Sequence, residues 1–245
     1  MLGIAYSLAS YLAFLLVFGY FAPFADGVLV PKHVDSGSAA GASAALLVDC
    51  ALITGFGLTH SIMARPRFKR VLTRVIRPEL ERATYVLVAS VMLALLMWQW
   101  RPLPLVLWQV EQPPLATLLW IGNVVSWGAA GIVTFLIDHF ELFGLTQAFA
   151  AFRRKSLDSR GFVTPLFYRY VRHPMMTGFM LAFWLTPKMT VGHLLLALGM
   201  SCYILIGVYF EERALVRDLG RVYLDYQHRT PKFLPFGGKN KAAPH

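Results

Sequence analysis

Long apolar runs separated by short polar segments dominate this chain. Four of the runs are long enough to cross the hydrocarbon core of a bilayer as a helix, which takes about 20 mostly apolar residues. They cover residues 3–24, 39–64, 83–100 and 115–137. A fifth apolar region, 175–210, is too long for one crossing and is interrupted by Thr186, Pro187 and Lys188. Because proline and a charge break an apolar helix, we predict a hairpin whose tip lies at this interruption.

The pattern predicts an all-α, polytopic integral membrane protein with six transmembrane helices, of which the fifth is short. The number is five if that short segment re-enters the membrane without crossing it. The first run has no positive residue before it and no small-residue cleavage site after it, so we interpret it as a membrane helix. After the last run, apolar side chains recur at helical spacing at Leu215, Leu219, Val222 and Tyr226. This spacing predicts a C-terminal amphipathic helix.

Composition and charge agree with a membrane protein. Hydrophobic residues make up 57% of the 245 positions and charged residues 15%, against about 25% charged in soluble domains, and mean hydropathy is +0.55. The net charge of +10 comes from three segments, which contain Arg65, Arg67, Lys69, Arg70, Arg74 and Arg77; Arg153, Arg154, Lys155, Arg160, Arg169 and Arg172; and Arg213, Arg217, Arg221, Arg229, Lys232, Lys239 and Lys241.

The distribution of these charges predicts the topology. Segments 25–38 and 101–114 are nearly neutral, so the positive-inside rule places both termini and all three basic segments in the cytoplasm. We therefore predict a multi-pass protein of the bacterial inner membrane. Topology and anionic lipid headgroups explain the basic charge, so membrane lipids are expected partners and nucleic acid is not. No obligate protein partner is evident.

Ionisable residues lie near four of the predicted helix ends on the cytoplasmic side. They are His60, Asp138, His139, Glu141, Arg172, His173, Glu211 and Glu212. Headgroup anchoring explains any one of them, but three histidines at one depth on different helices favour an assembled site. Asp49, deep in the second run, departs from this level. Asp138 and His139 are adjacent and point about 100° apart on a helix, so we predict no metal site.

The segment from Tyr170 to Gly178 contains a distinctive Arg-His-Pro sequence. Pro174 favours the first turn of a helix, which places Arg172 and His173 at its N-terminus. Free N–H groups and a partial positive charge make such a terminus suitable for a carboxylate. The acidic pair 211–212 returns to the same membrane face and is placed to meet an amino group or ribose hydroxyls.

This C-terminal pattern resembles membrane methyltransferases of the isoprenylcysteine carboxyl methyltransferase type, which use S-adenosylmethionine. The module is also shared with phospholipid methyltransferases, NADPH-binding sterol reductases and NnrU-like proteins. The resemblance implies S-adenosylmethionine as cofactor. Its predicted binding residues are Gln147, Tyr170, Arg172, His173, Pro174, Gly178, Glu211, Glu212, Tyr223 and Tyr226, the last two as cover for an adenine ring. Met175 and Met176 stand where related motifs often have tyrosine, so an aromatic contact is expected to be absent there.

Segments 59–70, 81–85, 100–104 and 136–147 narrow the resemblance. With them, residues 45–236 are similar to the bacterial membrane-bound methanethiol S-methyltransferases, which make dimethyl sulfide from methanethiol and S-adenosylmethionine. The resemblance implies a single membrane domain, 1–245. Within it, 1–38 form the first helix and a periplasmic loop, 39–150 the central helices with the substrate site, and 151–236 the cofactor-binding module.

The chemistry of this reaction assigns the candidate catalytic residues. A simple alkyl thiol is a weaker acid than cysteine, whose pKa is about 8.5, so a base or a cation must favour the thiolate. His60 and His139 are the candidate bases, Asp138 is placed to orient an imidazole, and Arg172 is a candidate cation. A small apolar thiol can reach the site from the bilayer.

Three alternatives remain at the level of sequence. The closest is a methyltransferase for prenylcysteine or phospholipid, which needs a wide lateral cleft. An NADPH-dependent reductase on the same module needs cations for the 2′-phosphate, for which Arg213, Arg217 and Arg221 are available. In a membrane scaffold or transport accessory the polar cluster is only structural.

Overall fold

The computed structural model describes residues 1–37, 41–156 and 163–235. The predicted boundaries at residues 38 and 39 and at residue 236 lie outside the described residues, as do Arg160, Lys239 and Lys241. Within the described ranges the chain forms a helical bundle with one small sheet. Its elements are α1 (Leu2–Asp26), α2 (Ala42–Met63), α3 (Pro66–Leu72), α4 (Glu81–Gln99), β1 (Val106–Gln109), α5 (Pro113–Ile137), α6 (His139–Leu142), α7 (Leu145–Phe152), α8 (Pro174–Trp184), β2 (Lys188–Thr190), α9 (Val191–Leu219) and α10 (Arg221–Arg229).

Five of the described helices are long and apolar enough to cross a membrane: α1, α2, α4 with the 3₁₀ turn before it, α5 and α9. The mean hydropathy of their most apolar windows lies between 1.6 and 2.0. Many of their large apolar side chains are exposed on the outside of the bundle, as expected for contact with lipid. The prediction of a polytopic, helical membrane protein is confirmed.

The fifth of the six predicted helices is the short α8, whose 11 residues are about 16 Å long. It begins beside Glu212, and the extended segment after it joins the connection between α4 and α5 through β2. Glu212 lies 21 residues beyond Val191 in α9, about 32 Å along the helix axis. Thus α8 and segment 185–190 together run from one end of the bundle to the other. The hairpin tip predicted at residues 186–188 lies in this segment.

A two-stranded antiparallel sheet closes the end of the bundle opposite to Glu212. β1 and β2 pair with Val106 opposite Thr190 and Trp108 opposite Met189. The indole of Trp100 donates to the carbonyl oxygen of Val34 at 3.0 Å, which ties the α1–α2 connection to the same end. The sheet was not predicted, because three or four residues are too few for a periodic signal.

Close helix packing positions α8 against α5. A Cβ atom added at Gly178 would lie 3.0 Å from both the Cβ atom of Ala130 and the carbonyl oxygen of Ser126. The absence of a side chain lets the two backbones approach. Beside this contact Phe21, Phe24, Phe183 and Leu196 belong to a core that joins α1, α8 and α9.

The C-terminal amphipathic helix differs from its prediction. Gly220, with φ +58° and ψ −129°, interrupts the helix between α9 and α10, a conformation that glycine adopts readily. The buried side chains of α10 are Tyr223 and Tyr226, whereas Val222 is 56% exposed. Because of the break, Arg221 does not continue the helical face of Arg213 and Arg217.

Candidate active site

Glu212 is the centre of a buried ionic network at the start of α8. Its Oε1 atom accepts from Arg172 Nε at 2.8 Å and lies 3.1 Å from His173 Nε2, while Oε2 accepts from Lys232 Nζ at 3.0 Å. Glu212 is 7% exposed. Because cations occupy both carboxylate oxygens, the network fixes α8, α9 and the C-terminal segment relative to one another.

The segment after α10 completes this arrangement. The carbonyl oxygens of residues 231–233 accept from the backbone N–H of Arg172 at 2.9 Å, the backbone N–H of His173 at 3.1 Å and the hydroxyl of Thr177 at 2.9 Å. Neither Lys232 nor this pairing was predicted, because a short extended segment has no periodic signal.

Glu211 differs sharply from Glu212 although it is the next residue. Its side chain is 52% exposed, and among the described residues Nδ1 of the His173 imidazole lies 3.9 Å from its carboxylate. Close by is the first turn of α8, where N–H groups such as those of Met175 and Met176 lack intrahelical acceptors. Glu211 therefore has accessible carboxylate oxygens beside these N–H donors. This combination suits a ligand that carries both an ammonium group and a carboxylate.

The remaining predicted cofactor residues lie in different surroundings. Tyr170 is 66% exposed beside this turn, whereas Tyr223 and Tyr226 are buried. The hydroxyl of Tyr226 donates to the carbonyl oxygen of Tyr168 at 2.5 Å, and burial raises the pKa of Tyr226 to about 12, which keeps it a neutral donor. Gly178 faces α5, so packing alone accounts for a glycine there.

Gln147 belongs to a separate region formed by α6 and α7. Its Nε2 atom donates to the carbonyl oxygen of Glu141 at 3.0 Å. In the same region Asp138, with φ +145°, separates α5 from α6, and its Oδ1 atom accepts from the N–H of Glu141 at 3.1 Å. These contacts make Asp138 the N-cap of α6.

His139 is enclosed by its own partners. Its Nε2 atom lies 2.7 Å from the hydroxyl of Tyr11, its Nδ1 atom lies 2.6 Å from that of Thr134, and its ring stacks on Phe135. Since Thr134 donates to the carbonyl oxygen of Gly131 at 2.7 Å, Nδ1–H donates to Thr134 and Nε2 accepts from Tyr11. Burial lowers the pKa of His139, so the ring is neutral. Thr134 and Tyr11 hold both ring nitrogens of His139, and a role of Asp138 in orienting this imidazole stays a prediction.

His60 lies between two phenols inside the bundle. The hydroxyl of Tyr203 in α9 is 2.5 Å from Nδ1, and the hydroxyl of Tyr85 in α4 is 2.8 Å from both ring nitrogens. All three side chains are partly exposed. Sequence analysis missed both tyrosines, although a phenol within an apolar run needs a polar partner and is itself a signal.

The three histidines are not in direct contact with one another in the described part of the chain. His60 and His173 both approach α9, through Tyr203 and the acidic pair, whereas His139 packs against α1. Tyr203 and Glu211 are eight residues apart in α9, which corresponds to about 12 Å. Gly207 lies between them, and no atom would come within 4 Å of a Cβ placed there. The structure therefore brings two of the three histidines to one helix.

The chain matches the family model described as NnrU protein over residues 46–233, and it belongs to that family. It is 48% identical over 235 residues to a methanethiol S-methyltransferase of Mycobacterium tuberculosis, an alignment that covers 96% of each chain. It is also 48% identical over 237 residues to a methanethiol S-methyltransferase of Pseudomonas deceptionensis, which covers 95% of this chain and 89% of that one.

A more distant similarity links the chain to a nurim of Danio rerio. The two are 27% identical over 177 residues, which is 66% of this chain and 62% of that protein. No solved structure matches the chain. The resemblance to the methanethiol S-methyltransferases that the sequence segments indicated is confirmed.

Proposed function

We propose that this protein methylates methanethiol to dimethyl sulfide with S-adenosylmethionine as methyl donor. The observation that carries the proposal is the 48% identity to a methanethiol S-methyltransferase over 96% of both chains. The polar groups at the N-terminus of α8 support it, because they match the amino-acid end of this cofactor in charge and in hydrogen-bonding capacity.

The residues around α8 hold the cofactor in this proposal. When bound, it supplies a methyl group activated by a sulfonium. Glu211 binds the ammonium group or the ribose hydroxyls, because its carboxylate is half-exposed. The N–H groups that follow Pro174 bind the carboxylate. Arg172, His173 and Glu212 keep this end of α8 in place through their buried network.

His60 is the base that we favour. Both nitrogens of His139 have good partners inside a packed aromatic cluster, whereas the His60 ring is partly exposed between two helices. A base must convert the thiol to the thiolate before it can attack. A neutral thiol enters from the bilayer and neutral dimethyl sulfide leaves the same way, while the charged cofactor arrives from the cytoplasm, where we place both termini.

An NADPH-dependent reductase is disfavoured by the contacts of its candidate phosphate-binding arginines. Arg217 pairs with Asp218 at 2.8 Å, and Arg213 donates to the hydroxyl of Tyr209 at 3.1 Å. Both arginines already have partners, and the break at Gly220 separates Arg221 from them.

Calorimetric titration of the detergent-solubilised protein tests the cofactor assignment. We expect saturable binding of S-adenosylmethionine and of its demethylated product. Glu211→Gln is expected to weaken both about 10- to 100-fold, because it removes a charge-assisted hydrogen bond. Glu79→Gln is the matched control, since Glu79 pairs with Arg77 in the basic connection between α2 and α4. Saturable binding of NADPH without binding of S-adenosylmethionine would contradict the proposal.

A further inference from the structure

We propose that His60, Tyr85 and Tyr203 form the binding site of the thiol acceptor, and that the Tyr203 ring limits this acceptor to a small alkyl thiol. The inference rests on the proposed function and adds a location and a size limit to it. The three residues come from α2, α4 and α9, so the site exists only in the folded bundle.

The cluster places polar side chains within apolar helices. Its three side chains are partly exposed although they lie inside these helices. Gly207 and Glu211 follow Tyr203 at four-residue intervals, so they share one side of α9, and the position of Gly207 is open. This helix face has a polar group at each end and a glycine between them, which suits a ligand that reaches from one group to the other.

The imidazole of His60 has hydroxyl groups near both of its nitrogens. The hydroxyl of Tyr203 lies 2.5 Å from Nδ1, and that of Tyr85 lies 2.8 Å from both Nδ1 and Nε2. A neutral imidazole carries one N–H group and one lone pair, and the Tyr85 hydroxyl cannot be in line with both nitrogens. In this proposal Nδ1–H donates to Tyr203, which holds the ring in position, and the lone pair of Nε2 accepts the incoming S–H group.

These contacts give a balanced proton transfer. The thiol proton passes to Nε2 of His60, which becomes an imidazolium. The thiolate sulfur then forms a bond to the methyl carbon as the bond between that carbon and the cofactor sulfur breaks, and the electron pair of the broken bond stays on the cofactor sulfur. The imidazolium finally releases its proton to water. The products are a dialkyl sulfide, the demethylated cofactor and one proton.

Aromatic rings pack closely around His60. The ring centroids of Tyr85, Tyr203 and Phe56 lie 4.8, 5.5 and 5.6 Å from that of His60. A Cβ atom added at Gly57 would lie 3.3 Å from Cδ2 of Tyr203, so α2 packs closely on that ring and limits its movement. We therefore expect these closely packed rings to admit a one-carbon thiol and Tyr203 to exclude a longer alkyl chain.

The test measures acceptor kinetics and cofactor affinity on the same purified variants. Tyr203→Phe and Tyr85→Phe remove one hydroxyl each and keep the ring. We expect kcat/KM for methanethiol to fall about 10-fold or more, while the cofactor Kd stays within twofold of wild type. Tyr209→Phe is the matched control on α9, because its hydroxyl is bonded by Arg213 at the exposed surface, and it should change neither quantity.

Acceptor size is tested with Tyr203→Ala. We expect the ratio of kcat/KM for 1-propanethiol to that for methanethiol to rise at least 10-fold. An unchanged ratio, together with Phe variants that match the Tyr209 control, overturns the acceptor site but leaves the proposed function intact. The near-isosteric Phe variants decide the matter if the Ala variant does not fold. Wild-type protein that binds no S-adenosylmethionine overturns both proposals.

Discussion

At the scale of single residues, the two neighbouring glutamates of α9 divide structural and binding roles. Glu212 is buried and forms ion pairs with Arg172 and Lys232, while Glu211 is half-exposed beside the first turn of α8. An acidic pair in a sequence does not show this division, because it depends on which side of α9 each residue occupies.

We expect Glu212→Ala to be strongly destabilising, because Glu212 and Arg172 form a buried ion pair. Removal of the carboxylate leaves the guanidinium of Arg172 without a counter-charge, which costs about 3–5 kcal/mol of folding free energy. We expect the melting temperature in detergent to fall markedly, measured by differential scanning fluorimetry. Glu211→Ala is the control and should melt close to wild type. Equal melting temperatures for the two variants would contradict the assignment.

The choice between the two candidate bases is decided by rates measured against pH. His60→Ala should lower turnover of methanethiol about 100-fold or more near neutral pH, because the thiol loses its proton acceptor. The loss should shrink as pH rises, since more of the thiol is then already ionised. The cofactor Kd should hardly change.

His139→Ala is the comparison variant for the pH dependence of the His60→Ala rate. Its effect should appear as a lower melting temperature and not as a pH-dependent rate loss, because His139 is held in a packed cluster by Tyr11 and Thr134. If both variants keep near-normal rates at neutral pH, the base assignment is wrong. Electrostatic help from Arg65, Arg172 or the bound sulfonium is then the better explanation.

At the scale of elements, the contact between α8 and α5 positions the polar end of the bundle. Gly178→Ala places a methyl group 3.0 Å from a backbone oxygen and another Cβ atom. We expect it to lower the melting temperature and weaken cofactor binding, because α8 carries Arg172 and His173 at its start. Gly128→Ala in α5 is the control. That position has open space and should keep or raise stability.

The elements also show what the sequence could predict. The long helices, the short α8 and the hairpin tip follow from apolar runs and from Pro187, which are local signals. The break at Gly220 was missed because the apolar spacing continues across it. The partners of His60 could not be predicted, since Tyr203 is 143 positions away and no periodicity links the two. The sequence predicts that the polar residues at this end of the bundle share one depth in the membrane. It does not predict which of these residues pair with one another.

At the scale of the whole molecule, the distribution of charge predicts the orientation in the membrane. The start of α1 packs near the basic connection between α2 and α4, where Gly3 approaches Leu80, and Glu212 lies at the predicted basic end of α9. A fluorescent reporter fused after His245 should therefore report a cytoplasmic C-terminus. A reporter inserted in the α4–α5 connection is the control and should report the opposite side. A periplasmic signal at His245 would show that the number of membrane crossings differs from six by one.

A labelled methyl-transfer assay tests the proposed reaction on the purified protein. Purified protein is incubated with methanethiol and S-adenosylmethionine that carries a deuterated methyl group, and the headspace is analysed by mass spectrometry. The account predicts dimethyl sulfide with one labelled and one unlabelled methyl group, at a rate that Glu211→Gln lowers through weaker cofactor binding. Cofactor binding without labelled dimethyl sulfide would contradict methanethiol as the acceptor, and the absence of both would contradict the account as a whole.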